Sequence, residues 1–193
     1  MSFTASFRQM KDGTRADYAM LAALEHEYAL ALPERILASL KKLDGGLEGY
    51  PVSRYTHSLQ SATRALGDGA DDELVVAALL HDIGDDLSPY NHAAIAAAIL
   101  RPYVRAEVTW IVEQHALFQS YYYAHHHDRS RNGRDRYKDH PWFEACVNFC
   151  ERWDQASFDP EYPTEPLERF EPLVRAIFTR PAHDVIFVGP AGA

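Results

Sequence analysis

The chain has 193 residues, 47% hydrophobic and 12% aromatic, with 28 acidic against 19 basic side chains and a formal net charge of -9. That length fits one domain able to bury a core of its own, and the acidic balance argues against a general nucleic-acid binder, whose footprint is a basic face. No apolar run is long enough for a secretory leader or for a span of about 20 residues, so the expected setting is the cytoplasm, without a membrane partner.

Helical punctuation recurs along the chain. Thr14 is placed to cap a helix through DYAMLAALEHEYALA, with Asp17 in the capping-box position. Pro33 opens PERILASLKKL, and Gly45-Gly46 end it. A short LEGYP loop leads to Ser53 and the helix VSRYTHSLQSATRAL, which stops at GDG. Asp71 caps DDELVVAALLHDI, whose centre, VVAALL, reads as a buried core helix. HAAIAAAIL starts near Ser88 or Asn91 and ends by Pro102, and RAEVTWIVEQHALF follows. Residues 119–140 (QSYYYAHHHDRSRNGRDRYKDH) break the pattern and read as a long loop. Pro141 restarts a helix, WFEACVNFCERWDQ, in which Cys146 and Cys150 share a face and are expected to pack in the core. PLERFEPLVRAIF is the last helix, and DVIFVGPAGA reads as a short edge strand or an ordered tail. The fold class is therefore all-α, a single helical bundle. Residues 1–48 are expected to form helices packing on the core, 49–178 the main domain and 179–193 a tail.

The placement of the histidines matters more than their total of 10. His81-Asp82 ends an apolar helix, where a carboxylate is costly to bury unless paired or metal-bound. Adjacent helical residues point about 100° apart, so the two can flank a metal pair with the carboxylate as a bridge. His57 lies one helix upstream, with Gln60 and Arg64 on its face; His92 opens the next helix and His115 closes the one after. Asp154 ends the WFEACVNFCERWD helix. Each occupies an apolar-to-polar transition, as expected of ligands lining a bundle interior, and His and Asp suit iron, manganese, zinc or cobalt. His26, His140 and His183 read as surface or satisfied core residues, and the run His125-His126-His127, pointing three ways, as solvent loop.

The order H…HD…H…H…D resembles the HD-domain superfamily of metal-dependent hydrolases and oxygenases. Within it, Gly49-Tyr50-Pro51-Val52-Ser53 with His57-Ser58-Leu59-Gln60-Ser61-Ala62, then Ala77-Ala78-Leu79-Leu80-His81-Asp82-Ile83-Gly84, resemble the mixed-valent di-iron oxygenases. Those comprise the hydroxyalkyl-phosphonate dioxygenases and, more distantly, myo-inositol oxygenase. His92, Val112-Glu113-Gln114-His115 and Arg152-Trp153-Asp154 complete a likeness running from Gly49 to Asp154. It implies an HD-domain bundle with two irons (Fe2+/Fe3+), one held by His57, His81, Asp82 and Asp154, the other by Asp82, His92 and His115. It implies too an oxygenase that uses O2 to cleave a small hydroxylated substrate oxidatively, of quaternary-ammonium or phosphonate type. Asp82 and Gln60 are the candidate catalytic side chains, and Tyr50, Asp85, Gln119, Tyr122, Glu151 and Arg152 the candidate substrate contacts.

The chain departs from that pattern near the substrate. Leu47 and Tyr50 stand where the phosphonate oxygenases have a Tyr and a Glu, and Gln119 and Glu151 where they aim a Lys and an Arg at the phosphonate. Asp85 stands where a Lys often follows the HD motif. These acidic and aromatic neighbours, with Tyr121, Tyr122 and Tyr123, point to a cationic or polyol-like substrate, because aromatic rings hold alkylammonium groups. A phosphohydrolase using Mn, Zn or Co on a nucleotide or small phosphate ester is the alternative. In that case Arg152, or the loop carrying Arg129, Arg131, Arg134, Arg136 and Lys138, anchors the phosphate. A purely structural metal is disfavoured, since such sites are usually closed tetrahedra.

Overall fold

Described over residues 4–183 in a computed structural model, the chain is helical, with no strand among those residues. The DVIFVGPAGA segment lies outside the described residues. The helices are α1 (Arg15–Leu30), α2 (Leu32–Lys42), α3 (Arg54–Gly67), α4 (Asp72–Leu80), α5 (His92–Leu100), α6 (Ala106–Gln119), α7 (Phe143–Phe149) and α8 (Leu167–Phe178). Among the described residues, none of them is long and apolar enough to cross a membrane.

The bundle is built around α4. Every residue from Val75 to Leu80 is at most 1% exposed, which is why this helix is apolar all round rather than striped. α3 packs along one side of it, α6 and α8 along others, and α5 pairs with α6. Side-chain caps set where α3 and α4 begin. The Ser53 hydroxyl accepts from the Thr56 amide at 3.1 Å, and the Asp71 carboxylate accepts from the Leu74 amide at 3.0 Å, each satisfying an amide with no intrahelical partner. α2 buries Ile36, Leu37 and Leu40, and α8 buries Leu167, Phe170, Val174, Ile177 and Phe178.

Three expectations need correction. α1 keeps its Thr14–Asp17 capping box but buries none of its residues, so the N-terminal part of the chain packs on the core through α2 rather than α1. The segment 119–140 is not an open loop. It winds into short 3-10 segments, Ser120–Tyr122, Ala124–His127 and Arg131–Tyr137, because its aromatic residues have somewhere to go. Tyr122 and Tyr137 pack against the core, and the guanidiniums of Arg131 and Arg134 lie 4.1 and 3.7 Å from the Tyr121 ring centroid. Finally, the helix after Pro141 changes winding. α7 passes at Cys150 into a π-helical turn, Cys150–Asp154, closed by the Gln155 amide donating to the Cys150 carbonyl at 2.9 Å. Cys146 and Cys150 are free and fully buried against α6, as their spacing predicts.

Candidate metal centre

His57 projects from the second turn of α3. His81 caps α4, and Asp82 begins the turn that leads to α5. His92 is the first residue of α5, His115 lies one turn before the end of α6, and Asp154 ends the π-helical turn. Gly84 lets the α4–α5 connection close: a Cβ there would sit 2.6 Å from the His92 carbonyl oxygen and 2.8 Å from the Ile95 Cβ. The π-helical turn does similar work for Asp154, an extra residue in the turn changing its direction at the end of the helix.

These side chains converge. Asp82 divides its oxygens between two groups: Oδ2 lies 3.6 Å from Nε2 of both His57 and His81, and Oδ1 lies 3.4 Å from Nε2 of both His92 and His115. Asp154 Oδ1 joins the first group, 3.4 Å from His57 Nε2 and 3.7 Å from His81 Nε2. Two sets, His57–His81–Asp154 and His81–Asp82–His115, each have donor atoms lying within 4.8 Å of one another.

Proton placement tells what these atoms await. Each imidazole turns its Nδ1 to a backbone carbonyl: His57 to Ser157 at 2.9 Å, His81 to Ala78 at 2.8 Å, His92 to Pro89 at 2.8 Å and His115 to Val112 at 2.7 Å. A carbonyl only accepts, so each Nδ1 carries a proton, and each ring, when neutral, presents its lone pair at Nε2. The Nε2 atoms of His57 and His81 then face each other at 3.1 Å, two acceptors that only a cation or a proton can reconcile. Asp154 Oδ2 is buried with no hydrogen-bond partner, which is costly unless something charged completes it. The donor set therefore fits metal cations, in two overlapping groups of histidine and aspartate donors.

Electrostatics point the same way. Burial works against charge on His57 and His115, but Asp154 at the first and Asp82 at the second outweigh it and hold both rings above the usual histidine range. Burial dominates at His81 and pushes it down to about 4. Burial likewise opposes ionisation of Asp82 and Asp154, yet His81 beside the first and His57 beside the second keep both below the usual carboxylate range.

Beside the centre lies a cavity of about 380 Å3, walled by Tyr50, Arg54, Gln119, Tyr123, His127 and Phe158, with Asp82, His92, His115 and Asp154 at its base. Among the expected substrate contacts, Tyr50 and Gln119 line it. Gln119 also donates through Nε2 to Asp154 Oδ1 at 3.0 Å. Asp85 stands behind the wall, its Oδ2 3.6 Å from Arg54 Nε. Tyr122 is turned into the core instead, since the change from α to 3-10 winding at Ser120 moves the cavity side on to Tyr123. Glu151 and Arg152, on the π-helical turn, are exposed and outside the lining, and Arg152 pairs with Asp68 at 2.9 Å. Gln60 does not face the cavity: its Nε2 donates to the Asp159 carbonyl at 2.7 Å and its Oε1 accepts the Asp159 amide at 3.3 Å. It thereby pins the segment carrying Ser157, the partner of His57. His127, read as solvent loop, reaches the cavity mouth.

Arg54 was not singled out from the sequence. It lies three residues before His57, one turn along the same face, and that spacing is the signal that could have found it.

Residues 54–156 match the model of the HD domain. The chain belongs to the HD-domain family. The HD motif proper is His81-Asp82, and the match begins at Arg54 and closes just past Asp154. The chain is also similar to a curated protein of Leisingera caerulea, [1-hydroxy-2-(trimethylamino)ethyl]phosphonate dioxygenase (glycine-betaine-forming), at 33% identity over 84 residues, 38% of this chain and 43% of that protein. This HD-domain chain thus spans less than half the length of that relative.

Proposed function

We propose that this HD-domain chain is a dinuclear metal-dependent oxygenase acting on a small hydroxylated molecule. The observation that carries the dinuclear reading is the division of Asp82, with Oδ2 toward His57 and His81 and Oδ1 toward His92 and His115. In this reading His57, His81, Asp82 and Asp154 would hold one iron, and Asp82, His92 and His115 the other. Bound there, an iron pair in the mixed-valent state would supply the redox chemistry with O2 that no side chain can. Support for oxygenase chemistry comes from the Leisingera caerulea relative, a dioxygenase.

The chain's own groups bind, orient and exclude water. The four Nδ1–H···O=C bonds fix each imidazole's tautomer and direction. Phe158 stacks on His57 with ring centroids 4.4 Å apart, and Tyr50 stacks on Phe158 at 5.3 Å, closing the His57 side against solvent. Gln119 holds the Asp154 carboxylate by its Oδ1. The more open half, at His92 and His115, faces the cavity where a substrate hydroxyl would lie.

A phosphohydrolase is the second reading, and Arg54 favours it: phosphoryl transfer needs positive side chains where charge develops, and this cavity does contain a cation. The two are separated by one preparation. Protein loaded anaerobically with iron and partly oxidised is expected to show a mixed-valent EPR signal and substrate-dependent O2 uptake. Phosphate release from nucleotides or simple esters with Mn, Zn or Co, and no O2 uptake for any hydroxylated candidate, would overturn the oxygenase reading.

A further inference from the structure

The run His125-His126-His127 takes no part in the centre described above, yet its side chains do not simply fan out. It ends the 3-10 segment Ala124–His127, and winding of three residues per turn normally sends successive side chains about 120° apart. Here the His125 and His126 rings lie together instead, with centroids 4.0 Å apart and planes tilted by 40°. His127 turns to the cavity whose base carries Asp82, His92, His115 and Asp154. The segment is fixed at both ends. Ala124 is buried at its start, and Asp128 closes it in the left-handed region at φ 53°, which Asp adopts more readily than most side chains. The Arg129 amide then donates back to the Ala124 carbonyl at 3.1 Å.

All three residues are exposed, and that decides what they can do. A neutral imidazole offers a lone pair to a metal ion, and imidazole suits iron, zinc, copper and nickel. Two such ligands, with water completing the coordination, make an open site rather than a closed one, so an ion there is held loosely and soon released. In the buried centre the ring centroids of His57–His81, His81–His115 and His92–His115 lie 5.0, 4.9 and 5.2 Å apart. The outer pair reaches that spacing by a side-chain rotation that its exposure permits. From outside inward the histidines then form a series: His125 and His126 on the surface, His127 at the mouth, partly exposed His92 and buried His115 at the base. The wall between carries Arg54, a fixed positive charge that an incoming cation must pass, and lone pairs along the way offset that repulsion.

We infer that His125, His126 and His127 form a loading site for the metal centre: the His125–His126 pair captures a divalent transition-metal ion from solution, and His127 passes it to His92 and His115. The inference rests on the reading of the buried cluster as a metal centre and does not depend on the reaction run there. The transfer is ligand exchange only. Metal–imidazole bonds break and form, water fills each position left behind, and no electron or proton is transferred.

Uptake kinetics decide the matter without turnover. The metal-free full chain is mixed with Co2+ alone, and filling of the centre is followed by the visible absorbance of bound cobalt. His125→Ala/His126→Ala and His127→Ala are each expected to slow filling at low Co2+ by about tenfold, the low end of what local enrichment of an ion at a cleft supplies. The ligands of the centre itself are untouched, so its affinity should not change. Affinity is the ratio of the two rates, so release to a chelator in solution should slow by the same factor. His26→Ala, an exposed histidine on α1, should alter neither rate. Equilibrium dialysis should also find one further, weakly held Co2+ in the wild-type chain that the double variant lacks. Loss of that weak ion with uptake unchanged would mean an adventitious ion only and overturns the inference. Slower uptake with weakened affinity overturns it too, because the centre itself is then damaged. A wild-type chain that takes up no ion at the buried cluster is a different failure, overturning the metal-centre reading and the loading site with it.

Discussion

The two halves of the centre share Asp82 and differ in almost everything else. Around its Oδ2, the side chains of His57, His81 and Asp154 are 1%, 0% and 3% exposed. Around its Oδ1, His115 is as deeply buried at 3%, but His92 is 19% exposed and faces the cavity. The enclosed half is assembled from three distant stretches, α3, the end of α4 and the π-helical turn, and His57 is oriented by the carbonyl of Ser157, 100 residues away. His81, and in the open half His92 and His115, each bond a carbonyl only three residues upstream, so His57 alone is oriented from afar. Long-range assembly with full burial suits a permanently held ion, and a locally oriented, partly exposed pair suits an ion that meets a ligand from outside. On the dinuclear reading proposed above, the difference would divide the labour: one half for retention, the other for exchange.

The largest effect should come from breaking what the halves share. Asp82→Ala is expected to reduce bound metal from two ions to almost none and to abolish the metal-dependent rise in Tm. At a metal concentration near 1,000 times Kd that rise corresponds to about 4 kcal/mol. Elemental analysis and thermal melts with and without metal measure it, and an Asp82→Ala chain that keeps one ion firmly would show that the halves do not depend on a common bridge.

A smaller, one-sided effect is expected from the α4–α5 connection. Gly84→Ala places a methyl 2.6 Å from a backbone oxygen of His92, so α5 must shift. Overpacking of this kind costs about 1–3 kcal/mol, and the His92 side of the centre should lose its ion while the enclosed side retains one. His92→Ala should remove the same ion with little change in the Tm of the metal-free chain, since its ring is partly exposed. Equal loss from both halves in these variants would contradict the separation drawn above.

Much of this was legible in the sequence because it depends on local periodicity. The caps Thr14, Ser53 and Asp71, the apolar body of α4 and the positions of His57, His81, Asp82, His92, His115 and Asp154 follow from spacing and residue chemistry. What was misread lies where the winding changes or where partners come from afar. Glu151, Arg152 and Tyr122 are expected at the substrate from resemblance and composition alone, and the π-helical turn and the 3-10 segment at Ser120–Tyr122 place them elsewhere. An arginine in the first turn of a helix reads as surface charge, and only the tertiary approach of Asp82, 28 residues away, turns Arg54 inward. Reading His125-His126-His127 as solvent loop missed His127, which is exposed and yet lines the cavity, a placement that no local pattern announces.

The smallest and most selective effect is expected at Gln60, and it probes the retention half alone. Both ends of its amide are committed to Asp159, donating to its carbonyl and accepting from its amide. Asp159 is exposed, so water can replace both bonds in Gln60→Ala and the fold should hold. The loss should appear two residues upstream, where Ser157 supplies the carbonyl that keeps the proton of His57 on Nδ1. Groups that orient a metal ligand in this way are typically worth about 10–100-fold in affinity. Chelator competition should therefore show the more tightly held ion released about 10–100-fold more easily in Gln60→Ala, with the weaker ion unaffected and Tm of the metal-free chain nearly unchanged. Glu in place of Gln60 can still accept from the Asp159 amide but cannot donate to its carbonyl, so Gln60→Glu should fall between wild type and alanine. Release of the weaker ion instead would mean that Gln60 serves the open half, and that the long-range anchoring of His57 is not what makes the other half retentive.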